Sequence, residues 1–226
     1  MGFLRSVGGN FDGVAPLYDA LSFLVFGRQL EQAQTAFLQP NARLSIPKGA
    51  SVLVVGGGTG KILQPLLQNC QPDRVVYLDK SARMLARASQ RMAETPLTGT
   101  VEFRLGDETA LRSSERFDVL ITPYLLDLFT ETTLATQLLP KLGSVLAEGG
   151  YWLVTDFVRT GIWWHEALIW SMIRFFRFTA GIETRQLADW QKLMPAAGLR
   201  LKAFQSRMDG LISAELYRKS SIKKAA

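Results

Sequence analysis

Three glycines at alternate positions, Gly56, Gly58 and Gly60, stand in the run VLVVGGGTGKIL over residues 52–63, where four apolar residues turn abruptly into small ones. Glycines so placed let a ligand come close to the backbone at a strand-to-helix turn. Spacing decides which ligand. A phosphate-binding P-loop needs a glycine where this chain has Val55 and a hydroxyl after the lysine, where it has Ile62. The dinucleotide pattern G-x-G-x-x-G needs a third glycine at 61 or 63, and these are Lys61 and Leu63. What remains, Gly56-x-Gly58-x-Gly60, keeps the close approach without the residue that wraps a pyrophosphate.

Two acids extend the pattern. Asp79 closes RVVYLD (74–79), 19 residues past Gly60, where a carboxylate can accept both hydroxyls of a ribose. Asp107 closes TVEFRLGD (100–107), placed to reach an adenine edge. Either acid alone reads equally well as a helix N-cap. In register with the glycine loop at three successive strand ends, they outline a nucleoside site.

The elements that must position these residues follow from periodicity. SVLVVG (51–56) reads as a short buried strand, with a helix expected from about Thr59 to Asn69. RVVYLD is a second strand, and KSARMLARASQRMAE after it is an amphipathic helix with Met84, Leu85 and Ala88 on its apolar face. TVEFRLGD alternates as a third strand and FDVLIT (117–122) is a fourth. A helix over residues 131–147 ends at Gly149–Gly150, and YWLVTDF (151–157) is a fifth strand. Strands separated by helices require right-handed crossovers and a mostly parallel sheet. The chain closes differently, with two strand-like runs around the hairpin signal Asp209-Gly210. The expected fold is α/β: a Rossmann-like, seven-stranded, mostly parallel sheet with helices on both faces and a C-terminal antiparallel hairpin. Residues 1–226 are read as one domain with a helical N-terminal cap at 11–40 and an aromatic helical insertion at 158–184.

Charge is unevenly placed along the 226 residues. Residues 1–156 carry 14 Lys/Arg against 15 Asp/Glu, and residues 157–226 carry 12 against 5, which together make the net +6. A basic C-terminal third can attract an anionic substrate, a membrane surface or nucleic acid, or aid solubility; the closing RKSSIKKAA reads as a solvated tail. One cysteine, Cys70, excludes an internal disulfide, and one histidine, His165, excludes a multi-histidine metal centre. MGFLRS lacks the pattern of a secretory signal, and its Gly2 with Ser6 fits a myristoylation pattern short enough to arise by chance. No apolar run is long enough to span a bilayer, so a cytoplasmic protein is expected.

From about Phe11 to Lys219 the chain resembles the class I S-adenosylmethionine-dependent methyltransferases, through VLVVGGGTG, VVYLDKSARML, LGDETAL, FDVLITPYLLDLF and LAEGGYWLVTDF. Its opening, FDGVAPLYDALSFLVFG, is similar to the N-terminus of ubiquinone/menaquinone-biosynthesis C-methyltransferases. The resemblance implies S-adenosyl-L-methionine as cofactor, with the methionine part over Gly56, Gly58 and Gly60, the ribose on Asp79 and the adenine by Asp107. Lys80, Met84 and Glu108, beside those acids, complete the expected set. Tyr18 matches an N-terminal tyrosine that closes over the cofactor. One position departs: where such relatives carry an acid two residues before the first glycine, this chain has Val54. Backbone carbonyls and Thr59 or Thr122 are then left to serve the cofactor's ammonium, or the fold has lost its chemistry and only binds.

Methyl transfer from a sulfonium is an in-line displacement that needs alignment and exclusion of water, with a base where the acceptor atom bears a proton. His165, Asp127, Tyr124 and Tyr18 are the candidates; His165 in WWHEA reads equally as a helix-start residue and Asp127 as a cap. The acceptor is expected to be a small hydrophobic molecule. TPY after the fourth strand lacks the Asn/Asp-Pro-Pro-aromatic motif of exocyclic-amine methylation, and Cys70 lies away from that region, so nucleic acid is disfavoured. An RNA methyltransferase remains the alternative that the basic third keeps open. In IWWHEALIWSMIRFFRF (162–178), 12 of 17 residues are apolar, leaving a polar stripe of Glu166, Arg174 and Arg177. So apolar a helix serves as a core or dimer contact, or as a wall for a lipophilic acceptor with its arginines toward lipid headgroups.

Overall fold

A computed structural model of the chain describes residues 11–13, 15–39, 46–94 and 99–220. The Gly2/Ser6 pattern and the last six residues of the basic tail lie outside the described residues. Seven strands form one sheet: β1 (Ser51–Val55), β2 (Arg74–Asp79), β3 (Thr100–Leu105), β4 (Phe117–Pro123), β5 (Leu146–Phe157), β6 (Leu199–Arg207) and β7 (Ile212–Lys219). Their order is β3-β2-β1-β4-β5-β7-β6. The first five pair in parallel, while β7 runs antiparallel to both β5 and β6. The order reverses between β1 and β4, and at such a switch point the carboxyl ends of the strands open a crevice.

Central strands are apolar on both faces because both are covered. Leu53 and Val55 of β1 join Val76, Leu78, Leu120 and Trp152 under the chain segment Glu131–Val145 and α8 (Trp190–Ala196). That segment is continuous: α5 (Glu131–Thr133), a π turn (Leu134–Leu138) and α6 (Leu139–Val145). Val52 and Val54 face the other way, with Val75, Tyr77, Val119 and Ile121, onto α3 (Leu63–Pro65, running into a π turn at Leu66–Cys70) and onto α4 (Ala82–Ala93). α4 buries Met84, Leu85 and Ala88, the expected three, and its N-cap is Ser81, whose hydroxyl accepts the Met84 N–H at 3.1 Å. The hairpin turns as read: Asp209 and Gly210 take φ of 49° and 92°, and the Leu211 N–H donates to the Met208 carbonyl at 2.9 Å.

Two boundaries differ from expectation. The helix after β1 begins at Leu63 rather than Thr59, because Gly58 and Gly60 hold positive φ and keep the loop open for four residues longer. β5 begins at Leu146, so Gly149–Gly150 lie inside a strand instead of ending a helix. A Cβ on Gly150 would stand 2.9 Å from the carbonyls of Ala147 and Asp118, so that glycine serves a close backbone approach. Around the sheet ends sit α1 (Ala15–Phe26), α2 (Gln29–Gln34) and α7 (Trp163–Thr179). No helix among the described residues is long and apolar enough to cross a membrane.

Candidate functional site

The glycine loop leaves β1 at the switch point, and its glycines have distinct reasons to be there. Gly57 lies on the Tyr77 ring, where a Cβ would sit 2.3 Å from the phenol oxygen; that phenol donates to the Gly58 carbonyl at 3.0 Å. Gly58, at φ +61°, has nothing within 4 Å of where its Cβ would be. A side chain there would project into the cleft, so the backbone is bared for a ligand. Gly60 sits behind the loop against Ala88 of α4.

Gly56 and Gly58 form one wall of a cleft of about 750 Å³ along the ends of β1, β2 and β3. Asp79, Lys80 and Met84 line its middle, and Asp107 and Glu108 its far end. Asp79 is 8% exposed; one oxygen accepts the Gly58 N–H at 3.1 Å and the other the Ser81 N–H at 2.9 Å. Burial raises its carboxyl to about 6 against the pull of those donors. Because Ser81 caps α4, Asp79 is relieved of capping and its remaining lone pairs face the cleft. Asp107 does both jobs: it lines the cleft and accepts the Thr109 N–H at 3.0 Å, capping the turn Glu108–Ala110.

Across from the loop, Tyr18 of α1 and Tyr124 after β4 stand where this cleft meets a second chamber of about 970 Å³. The second chamber lies between α1 and α7, walled by apolar side chains that include Phe26, Leu168, Met172 and Phe176. Burial, with the nearby Asp127 and Asp19 carboxylates, pushes the Tyr18 phenol up and keeps it neutral. Tyr124 holds φ +52°, uncommon for an aromatic residue. Its N–H is tied to the Thr155 carbonyl at 2.7 Å and its hydroxyl donates to the Leu30 carbonyl at 2.8 Å.

Asp127 is the acidic residue of the second chamber, and its Oδ1 is buried with no hydrogen-bond partner. Its carboxyl lies near that of Asp156 at the end of β5, which also faces the Asp127 N–H. Asp156, fully buried, accepts the N–H groups of Leu126 and Phe157, both at 2.8 Å, and of Asp127 at 3.4 Å. Burial holds both acids well above the usual carboxylate range, and the Asp127 charge pushes Asp156 further up.

Three of the residues singled out in the sequence line neither of these two chambers. Thr122 is buried in β4, accepting the Trp152 indole N–H at 3.0 Å. Thr59 donates to Asp19 of α1 at 2.9 Å. His165 is in the first turn of α7, 1% exposed, with Nδ1 2.7 Å from the Thr160 hydroxyl, and it borders neither chamber. The outward face of α7 carries Trp163, Trp170 and Phe178, with the Arg174 guanidinium 4.7 Å over the Trp170 ring. Sequence reading missed Asp156 and Asp19. The former ends a strand like Asp79 but follows no glycine loop, and the latter is the neighbour of a residue that was found.

Residues 52–150 match the family described as Methyltransferase domain. No curated protein matches the sequence at a significant level. Among solved structures, the Burkholderia thailandensis 1,6-didemethyltoxoflavin-N1-methyltransferase, with its substrate and S-adenosylhomocysteine bound, shares the fold at TM-score 0.63 and 18% identity, over 92% of this chain and 85% of that one. The magnesium protoporphyrin IX methyltransferase of Synechocystis PCC 6803, with S-adenosylhomocysteine bound, superposes at TM-score 0.57 and 18% identity, over 92% and 84%. A chain from the complex of the Haloferax volcanii Trm112 methyltransferase activator with its methyltransferase partner gives TM-score 0.67 and 16% identity, over 95% and 100%. Identities this low speak for the fold.

Proposed function

We propose that this chain, a class I S-adenosylmethionine-dependent methyltransferase by its domain and sheet, methylates a small hydrophobic molecule held in the chamber between α1 and α7. The observation that carries the proposal is the pair of joined cavities, one rimmed by Asp79 and Asp107 at the strand ends and one walled by apolar side chains. The cofactor fits the first: Gly58 leaves open backbone, and Asp79 offers two oxygens that accept from backbone donors alone. When bound, it supplies a methyl group already activated for transfer. The chain's own residues supply the rest. Tyr18 and Tyr124 hold the junction where the two ligands meet, and the apolar walls exclude water. Asp127 borders this chamber and takes the acceptor's proton when the methylated atom carries one.

Calorimetric titration tests the first cavity. S-Adenosylmethionine and S-adenosylhomocysteine should bind at micromolar concentration, with NAD and ATP inert; no binding would make the chain a fold that has lost its chemistry. Affinity should fall as pH is lowered through about 6, because protonating Asp79 removes an acceptor from the ribose. An affinity flat from pH 5 to 8 would place the ribose elsewhere. A screen of lipophilic phenols and quinols tests the second cavity. Met172→Trp, which fills it, should raise KM for any acceptor found at least tenfold and leave S-adenosylhomocysteine affinity unchanged. Salt-sensitive RNA methylation by the same protein would favour a nucleic-acid acceptor instead.

A further inference from the structure

The missing acid at Val54 leaves the cofactor's ammonium without its usual partner on the strand. Val54 is 0% exposed and packed in the core with Tyr77 and Ile121. The two polar side chains of the glycine loop turn instead toward α1. Thr59 donates its hydroxyl to Asp19 Oδ1 at 2.9 Å, and Lys61 Nζ stands 3.4 Å from the same oxygen. The other Asp19 oxygen is 3.2 Å from the Arg91 guanidinium, whose Nε in turn donates to the Thr59 carbonyl at 3.0 Å.

Asp19 and Lys61 also border a third cavity, of about 600 Å³, which continues the nucleoside cleft past Gly56 and Gly58. Both are partly open, at 26% and 31% side-chain exposure, so a ligand in this cavity can reach them and exchange partners with the pair. Glu31 of α2 adds a second carboxylate on the far side. A carboxylate and an ammonium side by side at the end of a nucleoside cleft complement a ligand that ends in an ammonium and a carboxylate. An α-amino acid end has that chemistry, and adenine or ribose does not.

We propose that Asp19 receives the ammonium and Lys61 the carboxylate of the cofactor's amino-acid end, so that α1 provides the acid that β1 lacks at Val54. The inference rests on the methyltransferase reading above and assigns one end of its cofactor. It also gives α1 a double duty, with Tyr18 at the junction of the chambers and Asp19 one residue on at the methionine end.

The alternative is a brace: Asp19, Arg91 and Thr59 clamp α1 to the loop and touch no ligand. Two nucleosides separate these. S-Adenosylhomocysteine carries the amino-acid end; 5′-methylthioadenosine keeps the adenosine and the sulfur but lacks that end. In calorimetric titrations Asp19→Asn and Lys61→Met should each weaken S-adenosylhomocysteine about ten- to a hundredfold, the range for one charge-assisted hydrogen bond. Binding of 5′-methylthioadenosine should be unchanged. Arg91→Leu, which breaks the clamp but does not border the cavity, should leave both ligands unaffected. Equal weakening of both nucleosides in Asp19→Asn, matched by Arg91→Leu, would establish the brace and overturn the proposal. So would unaltered S-adenosylhomocysteine binding in Asp19→Asn. Failure of the unsubstituted protein to bind either nucleoside would instead overturn the methyltransferase reading, and the subsite with it.

Discussion

Asp127→Asn should lower methyl transfer by about 10²–10⁴-fold, the usual contribution of a positioned proton acceptor, while S-adenosylhomocysteine affinity stays within about twofold. The side chain keeps its size, and its amide can donate to the neighbouring Asp156 carboxyl. The fold therefore survives, and only the basicity of the carboxylate is lost. The pH profile is the sharper readout. Burial raises this carboxyl well above the usual range, and a base works only when ionised. Turnover of the native protein should thus rise with pH through a window above ordinary carboxylate values, and the Asn variant should lose that rise. The outcome also sorts acceptors: an acceptor already anionic, or one attacking through a lone pair with no proton to lose, would turn over equally with either protein. Equal rates on a neutral phenol would remove Asp127 from the chemistry. The base would then have to come from solvent.

Why these acids divide as they do shows what a sequence can carry. Asp79 was legible because it ends a strand at a fixed distance after a glycine loop, and parallel sheets bring successive strand ends to one edge. The fold was legible for the same reason: the apolar run 52–55, the alternation in 100–105 and Asp209-Gly210 each fix a local choice, and the choices agree. The chamber between α1 and α7 was only half legible. The aromatic surplus of residues 162–178 signalled an unusual helix, but which side chains face a cavity depends on packing against α1, far away in the sequence. His165 stood out as a lone histidine, while its burial and its bond to Thr160 are tertiary facts. Asp19 stayed hidden because its partners, Thr59, Lys61 and Arg91, are 40 to 72 residues away in the chain. No periodicity reports a contact of that span.

Asp79→Ala and His165→Ala should give opposite signatures. The first removes both oxygens expected to accept the ribose hydroxyls and leaves the Gly58 and Ser81 N–H groups without their acceptor. At about 1.5–3 kcal/mol for each hydrogen bond to a charged group, affinity for S-adenosylhomocysteine should fall by about 10²-fold or more. The melting temperature should move little, since those lost bonds are offset by no longer burying a carboxylate whose pKa the fold raises to about 6. His165→Ala should leave affinity within about twofold, because the ring borders neither chamber. Its loss empties a site 1% exposed and leaves the Thr160 hydroxyl with only the Ile162 N–H, a change of the kind that destabilises by about 1–3 kcal/mol. Titration calorimetry and thermal melts on the two variants read both quantities. Normal binding by Asp79→Ala would move the ribose off β2 and with it the orientation of the whole cofactor. Weakened binding by His165→Ala at an unchanged melting temperature would return the histidine to the site.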